Sequence, residues 1–507
     1  MFIRKNKNRK GTVSVQIISK GSGKYQVLKT IGYGDDDLSI ELLYQRAKQE
    51  LASLQKQRDL FVSADDALIE SFLSGLSNAQ VRTVGPEIIF GKIYDSIGFS
   101  SVKEKLFRHL VIARLAFPLS KLKTIDYVYR YQGISLNIDS VYRFLDKLTD
   151  TLKEQIEQIT YQHSLRVLKG NISIVFYDMT TLYFEASDED DLRKTGFSKD
   201  SKHQQPQIYL GLLVGLGGYA IGYDIFEGSI YEGHTLIPTL QKFEQKFNLS
   251  KPVVVADAGL LSNENIILLE QHNYQYILGA RPKNESNAIK KQIQETVLED
   301  RQSMVIRKDK NTRLIVAYSN KRAAKDEHNR KRGLTRLEKM VKSNRLTKSQ
   351  INNRGYNKYL RMEGDVKIEI DYQKFKDDQQ WDGLKGYLTN TQLKPQQVID
   401  NYKNLWEIEK AFRISKTDLK IRPIYHRIRN RIEAHICIAF TAYAIYKELE
   451  RILYQSKAPF SVKTAAELTH TMYELDVTLP QSKHSKHILL KMNQQQALLK
   501  KIIAENF

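Results

Sequence analysis

The spacing of apolar residues changes along the chain, and each change predicts a different kind of structure. Apolar and polar residues alternate over Thr12–Ser19 and Tyr25–Ile31, on either side of a KGSGK turn. That alternation predicts a β-hairpin behind a basic N-terminal tail. Helical spacing follows, first to about Leu60 and then almost throughout Glu87–Ser164. The first third of the chain is therefore predicted to be a hairpin followed by a largely helical region.

The helical region carries cations on short helices around Val102–Ala116, Leu119–Tyr131 and Ile138–Gln162. The cations are Arg114, Lys121, Lys123, Arg130 and Arg143. A helix-turn-helix DNA reader and a plain helical bundle account for this pattern equally well.

The pattern changes at Asn171 to strands that alternate with helices. Three strands are predicted first, over Ile172–Tyr177, Ile208–Gly215 and Tyr219–Glu227. A helix over Thr235–Phe247, a strand over Pro252–Ala256, a helix over Asn263–His272 and a strand over Tyr274–Ala280 follow. The order β-β-β-α-β-α-β predicts an α/β fold, with a mixed sheet flanked by helices. It is similar to the order of an RNase H-like core.

A segment with β character and a dense run of positive charge interrupts this core. Strands are predicted over Met304–Arg307, Arg313–Ser319, Val366–Tyr372 and Gly383–Leu388. Between them, Lys321–Arg361 holds 14 Lys and Arg residues against three acids. So much charge with so little acid favours phosphate contact, with Lys331, Arg332 and Arg336 as DNA-binding candidates. A solvated charged helix is the alternative interpretation.

After the basic segment, Asn401–Tyr425 lacks Gly and has no Pro before Arg422-Pro423, so it predicts one helix of five to six turns. At 100° per residue, one face of this helix collects an acid among aromatic and cationic residues. That face consists of Tyr402, Trp406, Glu409, Arg413, Lys416 and Lys420. An apolar stripe beside it predicts docking on a core. A metal ligand near bound phosphates and an ordinary mixed-charge surface both fit this face.

Charge and cysteine content narrow the function classes. The formal charge of +21 and the pI near 9.5 indicate a polyanionic partner, with nucleic acid ahead of an anionic membrane surface. A single cysteine, Cys437, excludes an internal disulfide framework and a cysteine-based zinc site. The basic N-terminus lacks the apolar segment of a secretory signal, and the longest apolar run, Ala434–Tyr446, is too short to span a membrane. We expect a cytoplasmic protein without membrane contact.

Three acids form the candidate catalytic and metal-binding set. Asp178 and Asp257 follow the first and fourth predicted strands of the core, and Glu409 lies on the predicted helix. Adjacent strands lie about 4.8 Å apart, so two strand-end acids can share an ion. Such a set suits two Mg²⁺ ions, or Mn²⁺, in phosphoryl transfer. Taken singly, Asp178 equally fits a turn and Asp257 a helix N-cap.

Several stretches carry a family resemblance. Tyr402, Glu409 and Lys416 match the pattern Y-x-x-R-x-x-x-E-x-x-x-x-x-x-K, with Leu405 in the place of its arginine and Lys403 or Arg413 as substitutes. The tracts YDMTT, VVVADAGLLS, YILGAR, WDGLKGYLTNT and RPIYHRIRNRIEAHICIAF follow in the order of the same family. The chain therefore resembles DDE transposases of the insertion-sequence-four kind, in the RNase H-like superfamily.

The resemblance implies a function and a set of roles. Asp178, Asp257 and Glu409 would be the DDE triad, and Tyr402 and Lys416 would contact the DNA backbone. Such an enzyme cleaves transposon ends and joins their 3′-hydroxyls to target DNA, as a homodimer on paired ends, in the bacterial cytoplasm and nucleoid. Two alternatives are a catalytically inactive DNA-binding descendant and an RNase H-like nuclease without strand transfer.

The resemblance also completes the predicted division of the chain. The division is a basic tail and hairpin over 1–35, a helical DNA-end-binding region over 36–165, the first part of the core over 166–281, an inserted β-containing subdomain with a basic arm over 282–391, the second part of the core with the glutamate helix over 392–455, and a C-terminal helical tail over 456–507.

Overall fold

A computed structural model gives the fold. It describes residues 1–8, 11–21, 23–54, 64–148, 150–248, 250–343, 346, 351–352, 355–363, 367–479, 482 and 484–507. Parts of two predicted elements, the helix to Leu60 and the basic arm over 321–361, lie outside the described residues.

The described chain contains strands and helices in alternation. The strands are β1 (Phe2–Lys7), β2 (Val13–Gly21), β3 (Lys24–Gly34), β4 (Val81–Thr83), β5 (Ile174–Tyr183), β6 (Gln207–Gly215), β7 (Ala220–Glu227), β8 (Val253–Ala256), β9 (Tyr276–Ala280), β10 (Ser303–Arg307), β11 (Arg313–Tyr318), β12 (Leu360–Glu363), β13 (Lys367–Ile370), β14 (Leu384–Thr389), β15 (Tyr473–Thr478) and β16 (Ser485–Leu489). The helices are α1 (Asp37–Leu54), α2 (Ala64–Ser74), α3 (Lys92–Ile97), α4 (Lys105–Ala116), α5 (Lys121–Gln132), α6 (Ile138–Asp146), α7 (Asp150–Val167), α8 (Leu236–Phe247), α9 (Asn263–Gln271), α10 (Asn287–Glu295), α11 (Asn320–Lys342), α12 (Tyr372–Asp377), α13 (Pro395–Lys403), α14 (Trp406–Arg413), α15 (Arg429–Gln455), α16 (Val462–Thr469) and α17 (Gln494–Asn506). Within these described ranges, no helix combines the length and the apolar composition that crossing a bilayer requires.

The chain forms two compact units. The smaller unit comprises 1–80 and 476–487, and the larger comprises 81–475 and 488–507. In the smaller unit, β1, β2 and β3 form an antiparallel sheet, with β2 in the middle. The hairpin predicted from the sequence is β2–β3, and the residues expected to be a basic tail include a third strand, β1.

The larger unit is built on an eight-stranded mixed sheet in the order β10-β11-β14-β9-β8-β5-β6-β7. Its half from β7 to β9 has three antiparallel strands, β7-β6-β5, followed by β8 and β9 parallel to β5. This is the RNase H-like arrangement, so the predicted fold class is confirmed. The strands β10, β11 and β14 of the insertion extend this sheet beyond β9, while β12 and β13 pair only with each other.

Alternate residues of the sheet face two layers of helices. On β5, Phe176 and Leu182 pack on the side of α4, α14 and α15. Val175 and Tyr177 pack on the opposite side against α8 and α9. Because side chains alternate along a strand, Asp178 lies on the same face as Phe176. The largest element of that layer is α15, whose middle is almost entirely buried.

The single helix predicted over Asn401–Tyr425 is wrong. Asn404 and Glu407 donate to backbone oxygens three residues earlier, at 3.1 and 2.9 Å, which tightens the chain between α13 and α14. A π-helical turn, Ile414–Asp418, then follows α14. The backbone keeps α-region torsion angles at the junction. Only the hydrogen-bond spacing changes, so Gly or Pro is not required there and the sequence carries no signal for the break.

Candidate active site

The pairing of β5 with β8 places two of the predicted acids side by side. These strands run parallel, and their last paired residues are Tyr177 and Ala256. Asp178 and Asp257 are the next residue on each strand. The prediction that Asp178 ends its strand is wrong, since β5 continues to Tyr183 by pairing with β6, where Asp178 lies opposite Leu212. Asp178 and Asp257 are nevertheless neighbours on adjacent strands. The pKa of Asp178 is raised mainly by burial, and the negative charge of Asp257 contributes to the rise.

Helix α14 brings the third acid to the same face of the sheet. Its buried residues Ile408 and Phe412 share a core with Phe176 of β5. Glu409 is exposed beside them. Burial lowers the pKa of Lys385 and raises that of Tyr402, and the charges of Asp257 and Glu409 shift both pKa values upward. Both acids therefore lie near Lys385 and Tyr402. Among the described residues, the oxygens of the three acids do not all lie within 4.8 Å of one another. The three acids thus share one neighbourhood without being in mutual contact.

Asp178 is held in a partly enclosed environment. Its side chain is 26% exposed, and Lys199 Nζ lies 3.8 Å from its Oδ1. Burial raises the pKa of Asp178 to about 6, against the opposing charge of Lys199. Lys199 also donates to the carbonyl oxygen of Met179 at 2.7 Å and pairs with Glu232 Oε1 at 3.0 Å. A fourth carboxylate, Glu232, therefore stands beside the predicted set.

Asp257 is fixed by two hydrogen bonds. Its Oδ1 accepts from the backbone N–H of Ala258 at 2.7 Å and from the hydroxyl of Tyr402 at 3.1 Å. Tyr402 is buried, and Gly279 of β9 leaves the room that its hydroxyl occupies, since a Cβ there would lie 2.3 Å from that oxygen. Lys385 Nζ lies 4.3 Å from the centre of the Tyr402 ring. Tyr402, itself buried, thus holds an exposed carboxylate in place.

Lys416 lies close enough to Asp178 to feel its charge. Burial lowers the pKa of Lys416 to about 8, with a contribution from the charge of Lys199 and opposition from Asp178. Its Nζ pairs with Asp200 Oδ2 at 3.3 Å, and Arg422 pairs with the same oxygen. Asp200 therefore joins two cations at the edge of the site.

The other predicted DNA-binding residues are on the surface. Trp406, Arg413 and Lys420 are exposed, whereas Tyr402 is buried. These residues therefore do not form the single helix face that the sequence predicts. Lys331, Arg332 and Arg336 are exposed on α11, where Lys331 pairs with Glu327 at 2.6 Å.

A cleft whose lining has six cations against four acids lies between α11 and Asp257. It has a volume of about 820 Å³ and extends from Asp257 and Tyr402 to Arg322 and Arg330. Arg330 is buried against Asp382 and fixes the helix, whereas Arg322 is exposed. The start of the predicted basic arm therefore borders the candidate site.

Sequence reasoning missed the residues that surround the acids. Lys199, Asp200 and Glu232 lie in loops between core strands, where no periodicity ranks one charged residue above another. Lys385 lies in the tract WDGLKGYLTNT, where the family resemblance assigns it no role. Only the fold brings these side chains together.

Comparisons with known proteins identify the family. The family described as "Transposase DDE domain" matches residues 169–445, more than half of the chain. A search of the curated proteins found no match. The chain is 11% identical to piggyBac transposase in a synaptic complex with hairpin DNA, covering 76% of each chain at a TM-score of 0.39. It is also 11% identical to Mos1 transposase in a paired-end complex with the left transposon end, covering 36% of this chain and 57% of that one at a TM-score of 0.16. At these identities and TM-scores, we conclude nothing about this protein from the two structures.

We predict that Asp178→Asn stabilises the metal-free protein above pH 6. A rise in pKa from 3.8 to about 6 means that the folded protein disfavours the carboxylate, and this cost is absent below pH 3.8, where both states bind the proton. The rise corresponds to about 3 kcal/mol for a closed site. Partial exposure reduces the expected gain to about 1–2 kcal/mol. Thermal unfolding in EDTA at pH 8 and pH 4 measures the gain in stability. A variant of the exposed Asp191, Asp191→Asn, is the control. An equal gain for Asp178→Asn at both pH values would contradict the prediction.

We also predict that Leu405→Arg unfolds the site. Leu405 is 7% exposed and belongs to the main core, so an arginine there would bury a charge without a partner. The expected loss is about 3 kcal/mol or more in the free energy of unfolding. Leu405→Met, which keeps volume and polarity, should change stability by less than about 1.5 kcal/mol. A Leu405→Arg variant that melts like the wild type would show that this position tolerates the arginine of the family pattern.

Proposed function

Because this chain belongs to the transposase DDE domain family, we propose that it cleaves DNA at transposon ends and joins the freed 3′-hydroxyls to target DNA. The observation that carries the proposal is the register of β5 and β8, which puts Asp178 beside Asp257 under the helix that bears Glu409. A binding protein without catalysis has no use for three acids gathered on one sheet face.

The donor set suits hard divalent cations. Asp178, Asp257 and Glu409 all offer carboxylate oxygens with some solvent access, and Mg²⁺ or Mn²⁺ prefers such ligands. Two ions held there would supply activation of the attacking oxygen and stabilisation of the leaving oxygen. The raised pKa of Asp178 fits a carboxylate that meets a cation in the working state, because burial alone disfavours its charge.

The surrounding residues position these acids and the DNA. Tyr402 orients Asp257 through its hydroxyl, and Lys199 fixes the space between Asp178 and Glu232. Lys416, next to Asp178, would bind a backbone phosphate once DNA competes with Asp200. Tyr402, Glu409 and Lys416 support membership in the insertion-sequence-four branch, with the buried Leu405 as a departure from its pattern.

DNA would reach the site along basic surfaces. Lys331, Arg332 and Arg336 of α11 and Trp406, Arg413 and Lys420 after α13 are exposed for such contact. We propose a homodimer on paired transposon ends, with 36–165 recognising the end sequence. Bacterial DNA lies in the cytoplasm, which is the compartment this proposal requires.

The catalytic proposal predicts that Asp178→Asn, Asp257→Asn and Glu409→Gln each abolish cleavage. Each variant removes a carboxylate ligand but keeps its shape, so we expect loss of at least about 10³-fold in rate with end binding largely unchanged. The assay uses DNA carrying the element's own termini with Mg²⁺ or Mn²⁺, and Asp191→Asn is the matched control. Retained cleavage in any of the three variants would remove that acid from the site.

The same assay separates the alternatives. Joining of a 3′-hydroxyl to a second DNA is expected for a transposase. Cleavage without joining would indicate a nuclease, and binding without cleavage by the wild type would indicate an inactive descendant.

A second prediction concerns the basic helix. Replacing Lys331, Arg332 and Arg336 together by Gln should weaken DNA binding and flatten its salt dependence, because each lost phosphate contact removes about 0.9 from the slope of log K against log salt. Exposed Lys491, Lys500 and Lys501 of the larger unit, changed to Gln, keep the loss of net charge equal. Equal slopes in the two triple variants would mean that α11 makes no specific phosphate contact.

A further inference from the structure

A second basic cavity lies where helices α4 and α5 meet the segment after the π-helical turn. Its volume is about 560 Å³, and none of the residues that line it is acidic. Its ionisable lining consists of Arg114, Lys121, Tyr142, Lys420, Arg422, Tyr425, His426 and His435. Arg114 and Lys121 were candidates for a surface DNA reader, but the structure buries both.

The two buried cations lack a counter-ion. Arg114 is 5% exposed, and its Nη1 makes only long contacts of 3.4 and 3.5 Å with the carbonyl oxygens of Leu419 and Lys420. Lys121 is 6% exposed, and no carboxylate in the described part of the chain pairs with either cation. Burying a charge costs free energy unless a partner compensates. Two like charges in one cavity add mutual repulsion, and Arg114 lowers the pKa of Lys121 beyond the effect of burial.

The histidines of the cavity leave an unpartnered polar atom. His435 is buried, its Nε2 donates to the carbonyl oxygen of Ile421 at 2.8 Å, and its Nδ1 has no hydrogen-bond partner in the described structure. In the neutral ring this Nδ1 is an acceptor, so it donates to an anion only after the ring binds a second proton. Burial and the charges of Lys121 and Arg114 lower the pKa of His435, and burial lowers that of His426 to about 4. Asp146 opposes the lowering of the pKa of His426, but Arg431 binds both oxygens of Asp146 at 2.5 and 2.8 Å. Arg114 and Lys121, with no acid in the lining of the cavity, therefore suit it to negative charge from outside the chain.

The mouth of the cavity has a different character from its interior. Tyr425 is 68% exposed and Leu122 is 63% exposed at its rim. An exposed aromatic ring beside a basic pocket suits a nucleotide, whose base stacks while its phosphate is bound. The first turn of α5 also begins at this cavity with Lys121, and the N-terminus of a helix favours an anion.

We propose that this cavity binds one phosphate group of a DNA strand, held by Arg114 and Lys121. The source of the phosphate rests on the proposed function, whereas the phosphate site itself does not. Ion pairs link the cavity to the candidate active site, because Arg422 in its lining shares Asp200 with Lys416. The site would anchor a strand at a fixed distance from the acids without taking part in the reaction.

The test uses the full chain in EDTA, so that it is independent of cleavage. Lys121→Met and Lys121→Gln remove the buried charge, and exposed Lys123→Met on the same helix is the matched control. Without phosphate, Lys121→Met should melt above the wild type, because an unpaired buried charge is gone. Inorganic phosphate should raise the Tm of the wild type and of Lys123→Met by about 2 °C over chloride at equal ionic strength, and that of the two Lys121 variants by none. An equal phosphate shift in all four proteins overturns the proposal.

Oligonucleotides identify the source of the phosphate. A short single strand with a 5′-phosphate and the same strand with a 5′-hydroxyl are compared by fluorescence anisotropy in EDTA. Binding of either strand that falls by about tenfold in Lys121→Met, but not in a variant of exposed Lys500, Lys500→Met, supports a DNA phosphate. A preference for the 5′-phosphate assigns it to a strand end. If the inorganic phosphate shift depends on Lys121 but neither strand responds to the substitution, the assignment to DNA is overturned. Loss of cleavage in Asp178→Asn would leave each of these results unchanged, so the two proposals fail separately.

Discussion

The parallel pairing of β5 with β8 is the constraint on which the candidate site depends. The pairing ends at Tyr177 and Ala256, so the following residue of each strand is fixed by the last rung of the ladder. Asp178 is additionally held by β6 on its other side, because β5 continues. Asp257 has left its strand and relies on Tyr402 and the Ala258 N–H instead. One acid is therefore fixed by backbone, and the other by a side chain from α13, whose position depends on the packing of the glutamate helix behind it.

The packing of α14 against the sheet, rather than its surface charge, determines the position of Glu409. Leu405, Ile408 and Phe412 join the core that contains Phe176 of β5, and Glu409 is carried to the sheet by their burial. The tightened turn between α13 and α14 lets Tyr402 point into the sheet while Trp406 points outward. A straight helix would have put both on one face. Because the hydrogen bonding breaks between them, α13 orients Asp257 through Tyr402 and α14 carries Glu409 to the sheet.

The sequence predicted the strand order and the proximity of Asp178 to Asp257, because alternation of apolar residues and the parallel crossover rule limit where strands can lie. It did not predict the true end of β5, because Asp178, Thr180 and Thr181 are residue types typical of a turn, whereas pairing with β6 extends the strand to Tyr183. It assigned β10, β11 and β14 to the insertion without foreseeing that they extend the main sheet, a pairing between residues far apart in sequence. Lys199, Asp200 and Glu232 escaped notice because loop positions acquire their neighbours only from the fold. Leu405 also could not be interpreted from sequence alone. The family pattern has an arginine at this position, but only the fold shows that the position is buried and therefore suits an apolar residue.

The excess positive charge of the chain is divided between two physical situations. Exposed cations such as Arg332 and Arg336 are hydrated in the free protein, so under the proposed function they would exchange counter-ions for phosphates at little cost and contribute affinity with little selectivity. Arg114 and Lys121 have already lost their hydration, so the folded chain bears their cost until an anion arrives. A buried cation therefore couples folding stability to one ligand at one place, which an exposed cation cannot do. The surface charge would gather DNA, and the enclosed charge would fix one phosphate relative to the acids on β5 and β8.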